Sequence, residues 1–293
     1  MPPVRITRLA LTSAALALAS LSAQAANLVG LTSANELARI DTANVAGATR
    51  VAITGLAAGD RFVGIDLRPG DNTLYGITLS NKIYKLSEAT GATTFVAALS
   101  TPIVNAALGY GIDFNPVADF TGGTSLRFVS STGNNYAINA TTGAVAFSGN
   151  ITGSFSGVAY TNTNPLPTVA PVSTSLYYID SAADTLSVAT SSFNAPVINP
   201  VGPLGIDVLR ANGFEILGNG EAFAALNVDA GTSLTTGIYG INLATGQATL
   251  VGTFNGTLSG LTVSAVPEPQ TYALMLAGLA ALGTLVRRRR LQG

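Results

Sequence analysis

Residues 64–69 read GIDLRP and residues 111–116 read GIDFNP, so the chain repeats a glycine, an aliphatic residue and an aspartate ahead of a proline. A shorter form of this opener recurs three more times, and three of the five openers have the aspartate. The five openers are Gly64-Ile65-Asp66, Gly111-Ile112-Asp113, Gly157-Val158-Ala159, Gly205-Ile206-Asp207 and Gly260-Leu261-Thr262. Their spacings of 47, 46, 48 and 55 residues are typical of one four-stranded propeller blade per repeat.

Each repeat continues with three further β-type runs, separated by turn clusters rich in Gly, Asn, Asp and Thr. In the first full repeat these runs are TLYGIT (73–78), KIYKLS (82–87) and TFVAAL (94–99). The turn after the third run is nearly constant across repeats, as EATGAT, ATTGAV and LATGQAT. Its Thr-Gly pair is typical of a hairpin turn that needs a positive φ at the glycine.

The two ends of the body complement each other. Residues 27–56 supply the second, third and fourth runs without an opener, whereas residues 258–264 supply an opener with nothing after it. The pattern therefore predicts an all-β body over residues 27–264, a propeller of five four-stranded blades closed by both ends, which removes unpaired sheet edges. A sixth blade stays open as an alternative, because the last spacing is long. The Pro-rich insert at 162–173 is predicted to be a surface loop of the fourth blade.

Composition limits the functions open to this chain of 293 residues. It is 47% hydrophobic and contains no Cys and no His, so the body is held by its core and its sheets without disulfides. Residues 27–264 contain eight Lys and Arg against fourteen Asp and Glu, a net charge of −6. A nucleic-acid partner is excluded, because phosphate binding needs clustered basic residues.

Residues 1–25 are predicted to be a secretory signal peptide. Arg5 and Arg8 form a basic flank, residues 9–21 are apolar, and Ala23 and Ala25 form a small-x-small cleavage pattern. The apolar run has 13 residues and is too short to be a transmembrane helix. The body is therefore expected to be exported.

The C-terminal tail has the order of a linker, an apolar helix and a basic end. Residues 265–270 form a Pro-rich linker, and residues 271–286, as a helix of about 24 Å, fall just short of a bilayer core of about 30 Å. They are predicted to be a short transmembrane helix that anchors the chain in the inner membrane. Residues 287–293 would remain cytoplasmic by the positive-inside rule, with the body in the periplasm.

This tail closely resembles the PEP-CTERM sorting signal of bacterial exported proteins. The residues that carry the resemblance are Val266, Pro267, Glu268, Pro269, Arg287, Arg288, Arg289 and Arg290. The resemblance implies that an exosortase-type membrane enzyme is a partner and removes the tail, after which the body is held at the cell surface or released. A permanent C-terminal anchor is the alternative.

The body also resembles an uncharacterised family of bacterial secreted domains with a Gly-Ile-Asp-x-x-Pro opener. Residues 64–69 and 111–116 match this opener, whereas the fourth repeat has Arg210 where the proline would stand. The family resemblance implies no particular activity.

Without His or Cys the chain has no Ser-His-Asp or Cys-His unit, no zinc site of the usual ligands and no thiol redox chemistry. It also has no glycine-rich phosphate loop. The carboxylates Asp66, Asp113 and Asp207 occupy equivalent repeat positions, so on innermost strands they would converge near the axis, where they can bind Ca²⁺. The alternative is that each caps a local turn. The caps are favoured, because Ala159 and Thr262 interrupt the set.

The sequence thus favours an exported, non-catalytic propeller without a cofactor other than this Ca²⁺, acting as an extracellular matrix or exopolysaccharide-associated binding or structural protein. A carboxylate-dependent glycosidase on the same ring is the alternative, and a scaffold for surface proteins is a third. The chain has no Trp to stack on sugars. The tyrosines within predicted strands are expected to pack the blades; they are Tyr75, Tyr84, Tyr177 and Tyr239.

Overall fold

The computed structural model of the protein describes residues 25–123, 125–163, 169–229 and 234–265. Most of the predicted signal peptide, with Ala23, and the whole predicted sorting motif, transmembrane helix and basic tail lie outside these residues. Within the described ranges, no helix is both long enough and apolar enough to span a bilayer.

The described residues form five antiparallel sheets of four strands each. The strands are β1 (Asn27–Thr32), β2 (Glu36–Asp41), β3 (Thr49–Ala52), β4 (Phe62–Arg68), β5 (Thr73–Thr78), β6 (Lys82–Leu86), β7 (Thr93–Ala98), β8 (Tyr110–Phe114), β9 (Ser125–Ser130), β10 (Asn134–Asn139), β11 (Val145–Asn150), β12 (Phe155–Tyr160), β13 (Leu176–Asp180), β14 (Thr185–Ala189), β15 (Asn199–Pro203), β16 (Arg210–Ile216), β17 (Ala222–Asp229), β18 (Leu234–Ile241), β19 (Ala248–Phe254) and β20 (Leu258–Val263). A 3-10 helix, Val45–Gly47, follows β2, and a short helix α1, Pro116–Phe120, follows β8.

Blade 1 combines both ends of the body in the strand order β20-β1-β2-β3. Blades 2 to 5 follow in chain order as β4–β7, β8–β11, β12–β15 and β16–β19. Each innermost strand contacts the innermost strand of the next blade, and β20 contacts β4, so the ring is complete. The predicted five-bladed propeller closed by both ends is confirmed, and the six-bladed alternative is wrong.

The core lies between neighbouring blades, where the apolar faces of two sheets meet. Between blades 2 and 3, for example, Tyr75 packs edge-on against Phe114 at 5.5 Å between ring centroids. Each buried side chain of this size stabilises the fold by about 1.5–3 kcal/mol. Tyr75, Tyr84 and Tyr239 are buried and Tyr177 is half-buried against the core, so the strand tyrosines pack the blades as predicted.

The repeated Thr-Gly turn joins the outer part of blades 2, 3 and 5 to the blade before each. Gly91, Gly143 and Gly246 have φ values of 69°, 74° and 85°, which confirms the predicted left-handed conformation. A Cβ at Gly143 would overlap the carbonyl oxygen of Ala98, the last residue of β7. The carbonyl of Gly143 also accepts a 2.8 Å hydrogen bond from the N–H of Ser100. Only glycine fits this contact.

The end of the body is fixed to blade 2. The Glu88 carboxylate accepts hydrogen bonds from the Ser264 hydroxyl and from the N–H of Ala265, both at 2.7 Å. The Asn72 side-chain amide donates to the Ala265 carbonyl at 3.3 Å. The linker that precedes the predicted sorting motif therefore leaves the ring from a defined place.

The predicted position of the fourth opener is wrong. Gly205-Ile206-Asp207 lies in the connection before β16, where Gly205 has a φ of 76° and Asp207 is exposed. The reason is packing, because Leu204 and Val208 are buried in the core and hold this connection against the blade. Within β16, Gly213-Phe214-Glu215 takes the opener position, with Phe214 opposite Ala224 of β17. The insert at 162–173 joins β12 to β13, and its described residues Val169 and Val172 are exposed, as a surface loop requires.

Candidate functional site

The opener glycines allow neighbouring innermost strands to approach each other. A Cβ at Gly64 would overlap the Ile112 side chain, and a Cβ at Gly213 would overlap Leu261. Each glycine therefore faces the apolar second residue of the next blade's opener. This contact explains why a glycine and an aliphatic residue recur together.

In four of the five blades, the third opener residue connects its blade to the next through a hydrogen bond with the backbone. Asp66 accepts from the N–H of Phe114 at 2.7 Å, Asp113 from Tyr160 at 3.2 Å, Glu215 from Val263 at 3.3 Å, and the Thr262 hydroxyl from Leu67 at 3.1 Å. We call Asp66, Asp113, Glu215 and Thr262 the axial belt. Ala159 stands at the fifth position and offers no acceptor. The hypothesis that Asp66 and Asp113 cap local turns is wrong, since both reach across to a neighbouring blade.

The three acids of the belt meet near the axis. One ligand oxygen from each of Asp66, Asp113 and Glu215 lies within 4.8 Å of the other two. Their exposed fractions are 2%, 1% and 0%. The structure thus brings Asp66 and Asp113 together, leaves the predicted Asp207 outside, and puts Glu215 in its place. A bound metal at these residues stays a prediction.

Two carboxylate oxygens of the belt are buried without a hydrogen-bond partner in the described part of the chain, Asp113 Oδ2 and Glu215 Oε1. Their blades are the two neighbours of the blade that carries Ala159. The Thr262 hydroxyl lies 2.8 Å from Asp66 Oδ1 and also 2.8 Å from Glu215 Oε2. Because a hydroxyl has one hydrogen, it can donate to only one of them at a time.

Burial dominates the electrostatics of the belt. It raises the pKa of Asp66 to about 7, although hydrogen bonds from the Phe114 N–H and the Thr262 hydroxyl act in the opposite direction. Burial, and then the charges of Asp66 and Glu215, raise the pKa of Asp113 well above its usual range. The pKa of Glu215 is raised by burial and then by Asp66. Near neutral pH, the three acids therefore cannot all be ionised without cost. Either some of them hold a proton, or a cation binds between them.

No lysine or arginine forms an ion pair with the belt among the described residues. Arg68 pairs instead with Asp119 at 2.7 Å. The buried Arg127 donates to the side-chain oxygens of Asn135 and Asn194 and to the Tyr160 hydroxyl. The negative charge of the belt is thus not neutralised by a basic side chain.

A second feature is a cavity of about 580 Å³ at the end of the ring where the innermost strands begin. We call it the mouth, and all five blades contribute to its wall. Its hydroxyl groups come mainly from Ser33, Ser131, Ser154, Ser156, Ser181 and Ser259. Asn35, Asn227, Arg61 and Arg210 add amide and guanidinium groups, and none of the described lining residues is acidic. The mouth is therefore a polar and locally basic surface on an acidic body.

The ring and the tail together define a class of protein, a five-bladed propeller that is exported and sorted to the cell surface. Residues 265–290 match the PEP-CTERM protein-sorting motif, which implies processing by an exosortase. Residues 36–262 match the family described as a domain of unknown function, DUF4394, and the chain belongs to that family.

Some solved structures are similar to this chain at low sequence identity. A chain of a nidogen/laminin complex is 12% identical, with a TM-score of 0.49 and coverage of 81% of this chain and 98% of that one. A structural genomics protein of unknown function from Bacteroides thetaiotaomicron is 14% identical, with a TM-score of 0.48 and coverage of 82% and 65%. At these values the two structures say nothing about the activity of this chain. None of the curated proteins matches it in sequence.

Proposed function

We propose that the protein is a non-catalytic binding module of the cell surface or the extracellular matrix, and that its mouth binds an acidic exopolysaccharide. The observation that carries this proposal is the composition of the mouth, which combines serine hydroxyls, two amides and two arginines without an acid among its described lining residues. The sorting motif supports a location where such polymers are found.

The chemistry of the mouth suits a polymer of uronic acids. Hydroxyl and amide groups exchange hydrogen bonds with sugar hydroxyls, and a guanidinium group binds a carboxylate through two parallel hydrogen bonds. Arg61 and Arg210 are both exposed, and neither forms an ion pair with another described residue. Both are therefore available to an anionic ligand.

The position of the acids favours binding over hydrolysis. A glycosidase needs two carboxyl groups that reach the sugar on opposite sides of the scissile bond, about 5–9.5 Å apart. Asp66, Asp113 and Glu215 are at most 2% exposed and already accept hydrogen bonds from neighbouring blades. Acids in this environment support the architecture of the ring and do not meet a polymer.

Binding is tested by titrating the exported protein with polyuronate oligosaccharides and, in parallel, with neutral dextran oligosaccharides. We expect saturable binding of the polyuronate only, and an affinity at least tenfold lower in the double variant Arg61→Gln, Arg210→Gln. Lys82→Gln, which removes a charge outside the mouth, is the matched control and should bind normally.

Three results would contradict the proposal. Unchanged affinity in the double variant would exclude the mouth as the binding site. Absence of binding to either polymer would favour a scaffold for surface proteins. Release of reducing ends, abolished by Asp66→Asn or Asp113→Asn, would establish the glycosidase instead.

Release from the membrane is a further part of the proposal. Intact-mass analysis of the protein from its native host, in medium and membrane fractions separately, tests it. We expect a soluble form that begins near residue 27 and ends near residues 267–269. A membrane-bound form that keeps residues 287–290 would instead indicate a permanent anchor.

A further inference from the structure

We infer that Asp66, Asp113 and Glu215 bind one Ca²⁺ ion on the axis of the ring. This site is separate from the mouth and goes beyond polysaccharide binding. It is built from one acid on each of three innermost strands, β4, β8 and β16, so a bound ion would join three blades directly.

The first argument is uncompensated charge. Burying a carboxylate without a partner of opposite charge is costly, and three acids within 4.8 Å of one another add mutual repulsion. Within the described ranges, no basic side chain forms an ion pair with these acids. A divalent cation supplies the missing positive charge at the point where the three carboxylates meet.

The second argument is the pair of unpartnered oxygens. Asp113 and Glu215 are both more than nine-tenths buried, and each has one carboxylate oxygen without a hydrogen-bond donor in the described structure. Their other oxygens are occupied by backbone N–H groups of the next blade. These N–H groups hold the side chains at the axis, and the free oxygens are the acceptors that a cation needs.

The third argument is size. Ca²⁺ takes oxygen ligands at about 2.3–2.6 Å, so two ligands on opposite sides of one ion are about 5 Å apart. One oxygen from each belt acid lies within 4.8 Å of the other two, so all three can reach one ion of this size. Mg²⁺ binds at about 2.0–2.1 Å and retains several waters, which suits a buried site of three carboxylates less well.

Bound Ca²⁺ also explains how the Thr262 hydroxyl can lie close to two carboxylates at once. With Asp66 and Glu215 both ionised, the hydroxyl donates to one of them, and the ion attracts the other. Without a cation, one of the two acids must hold a proton to make the second 2.8 Å contact a hydrogen bond. A cation and a shared proton are therefore the two competing ways to stabilise this belt.

The test uses the exported protein, freed of metal with EGTA and titrated with CaCl₂ or MgCl₂ at pH 7.5. We expect one Ca²⁺ per chain by calorimetry and a rise in Tm of about 5–10 °C at saturating CaCl₂. The variants Asp113→Asn and Glu215→Gln should lower Ca²⁺ affinity at least 100-fold. Asp207→Asn removes an exposed acid outside the belt and should change nothing.

Metal analysis of the untreated protein gives a second measurement that does not depend on variants folding. We expect close to one equivalent of calcium when the protein is isolated without chelator. Absence of calcium together with an unchanged Tm in CaCl₂ would overturn the proposal and leave a proton-sharing belt. An equal response to MgCl₂ would overturn the assignment of the ion.

Discussion

The axial belt and the outer Thr-Gly turns both join neighbouring blades, but they do so with different chemistry. The three outer turns contain the same glycine, because only a residue without Cβ fits against the preceding carbonyl. The side chains of Ser100 and Gln247 add hydrogen bonds at these contacts. The belt needs only a hydrogen-bond acceptor, which Asp, Glu or Thr can each supply. The outer contact therefore requires glycine, whereas the inner contact accepts several residue types, some of which can also bind a ligand.

The largest effect is expected from removing the whole inner contact of blade 1. Truncation after Gly256 deletes β20, which pairs with β1 and carries Thr262. The ring then cannot close, and we expect loss of the cooperative unfolding transition in calorimetry. Truncation after Ala265 keeps β20 and the hydrogen bonds to Glu88, and it should leave Tm unchanged. Equal melting curves for the two truncated proteins would contradict ring closure.

A smaller effect separates the two contacts by adding one methyl group. Gly143→Ala places a Cβ against a backbone oxygen in a left-handed conformation, and we expect a loss of about 3 kcal/mol in the free energy of unfolding. Gly64→Ala meets the end of the Ile112 side chain, which can move, so its loss should be about 1–2 kcal/mol.

Gly122→Ala is the control for backbone strain alone. Gly122 has a φ of 87° with no atom within 4 Å of a built Cβ, so about 1 kcal/mol is expected. Chemical denaturation measures all three changes. If Gly143→Ala costs no more than Gly122→Ala, the outer contact does not discriminate against side chains.

The sequence predicts the repeat well where the opener motif lies on the innermost strand. Gly64-Ile65-Asp66 and Gly111-Ile112-Asp113 lie on innermost strands because their glycine and aliphatic residues are needed for close strand packing. In blade 5 the sequence motif gives the wrong position, since Gly205-Ile206-Asp207 resembles the opener but lies in the connection before β16. Spacing does not decide between the two positions, because Gly213 lies 56 residues after Gly157 and 47 before Gly260, whereas Gly205 gives 48 and 55.

The site is less predictable than the fold. An acid repeated at the same strand position predicts that these side chains meet near the axis. Its hydrogen-bond partner, however, lies on another blade and depends on how far the two innermost strands are shifted along the axis. Glu215 was missed because a longer acid at that position did not match the aspartate pattern. The mouth was missed as well, since its serines come from strand starts and loops that share no motif.

The pH dependence of stability tests the belt against the Thr-Gly turns, whose glycine contacts contain no titratable group. The pKa of Asp66 is about 7 in the folded chain and near 3.8 for an ordinary aspartate, as in the unfolded chain, so the folded chain binds the proton more tightly. Its contribution is complete below about pH 4 and is lost as the pH rises through about 7. In EGTA, Tm should therefore fall from pH 5 to pH 8.

Two comparisons make the pH result specific. Asp66→Asn should make the fall in Tm shallower, because Asp113 and Glu215 keep raised pKa values. Saturating CaCl₂ should flatten the curve of the unaltered protein if the ion replaces the protons. The lowered pKa of Asp60 acts with the opposite sign, but only at acidic pH. A Tm in EGTA that is constant or rises between pH 5 and pH 8 would contradict the assigned protonation of the belt.

The smallest effect is expected at the misleading opener. Asp207 is exposed in the connection before β16, so Asp207→Asn should change the free energy of unfolding by less than about 0.5 kcal/mol. Denaturant titration beside Glu215→Gln compares the two candidate positions directly. A larger effect at Asp207 than at Glu215 would restore the alignment drawn from the sequence.

The pairing of β1 with β20 has a consequence for the order of events during export. Leu28 is opposite Val263, so the contact that completes blade 1 joins the first and last strands of the body and has a high loop-closure entropy. A chain that crosses the membrane N-terminus first keeps the edge of β1 unpaired until residue 263 emerges. The sorting motif begins at residue 265, directly afterwards. The ring can therefore close only when the processing signal is also about to reach the membrane, since residue 263 and the start of the signal are two residues apart.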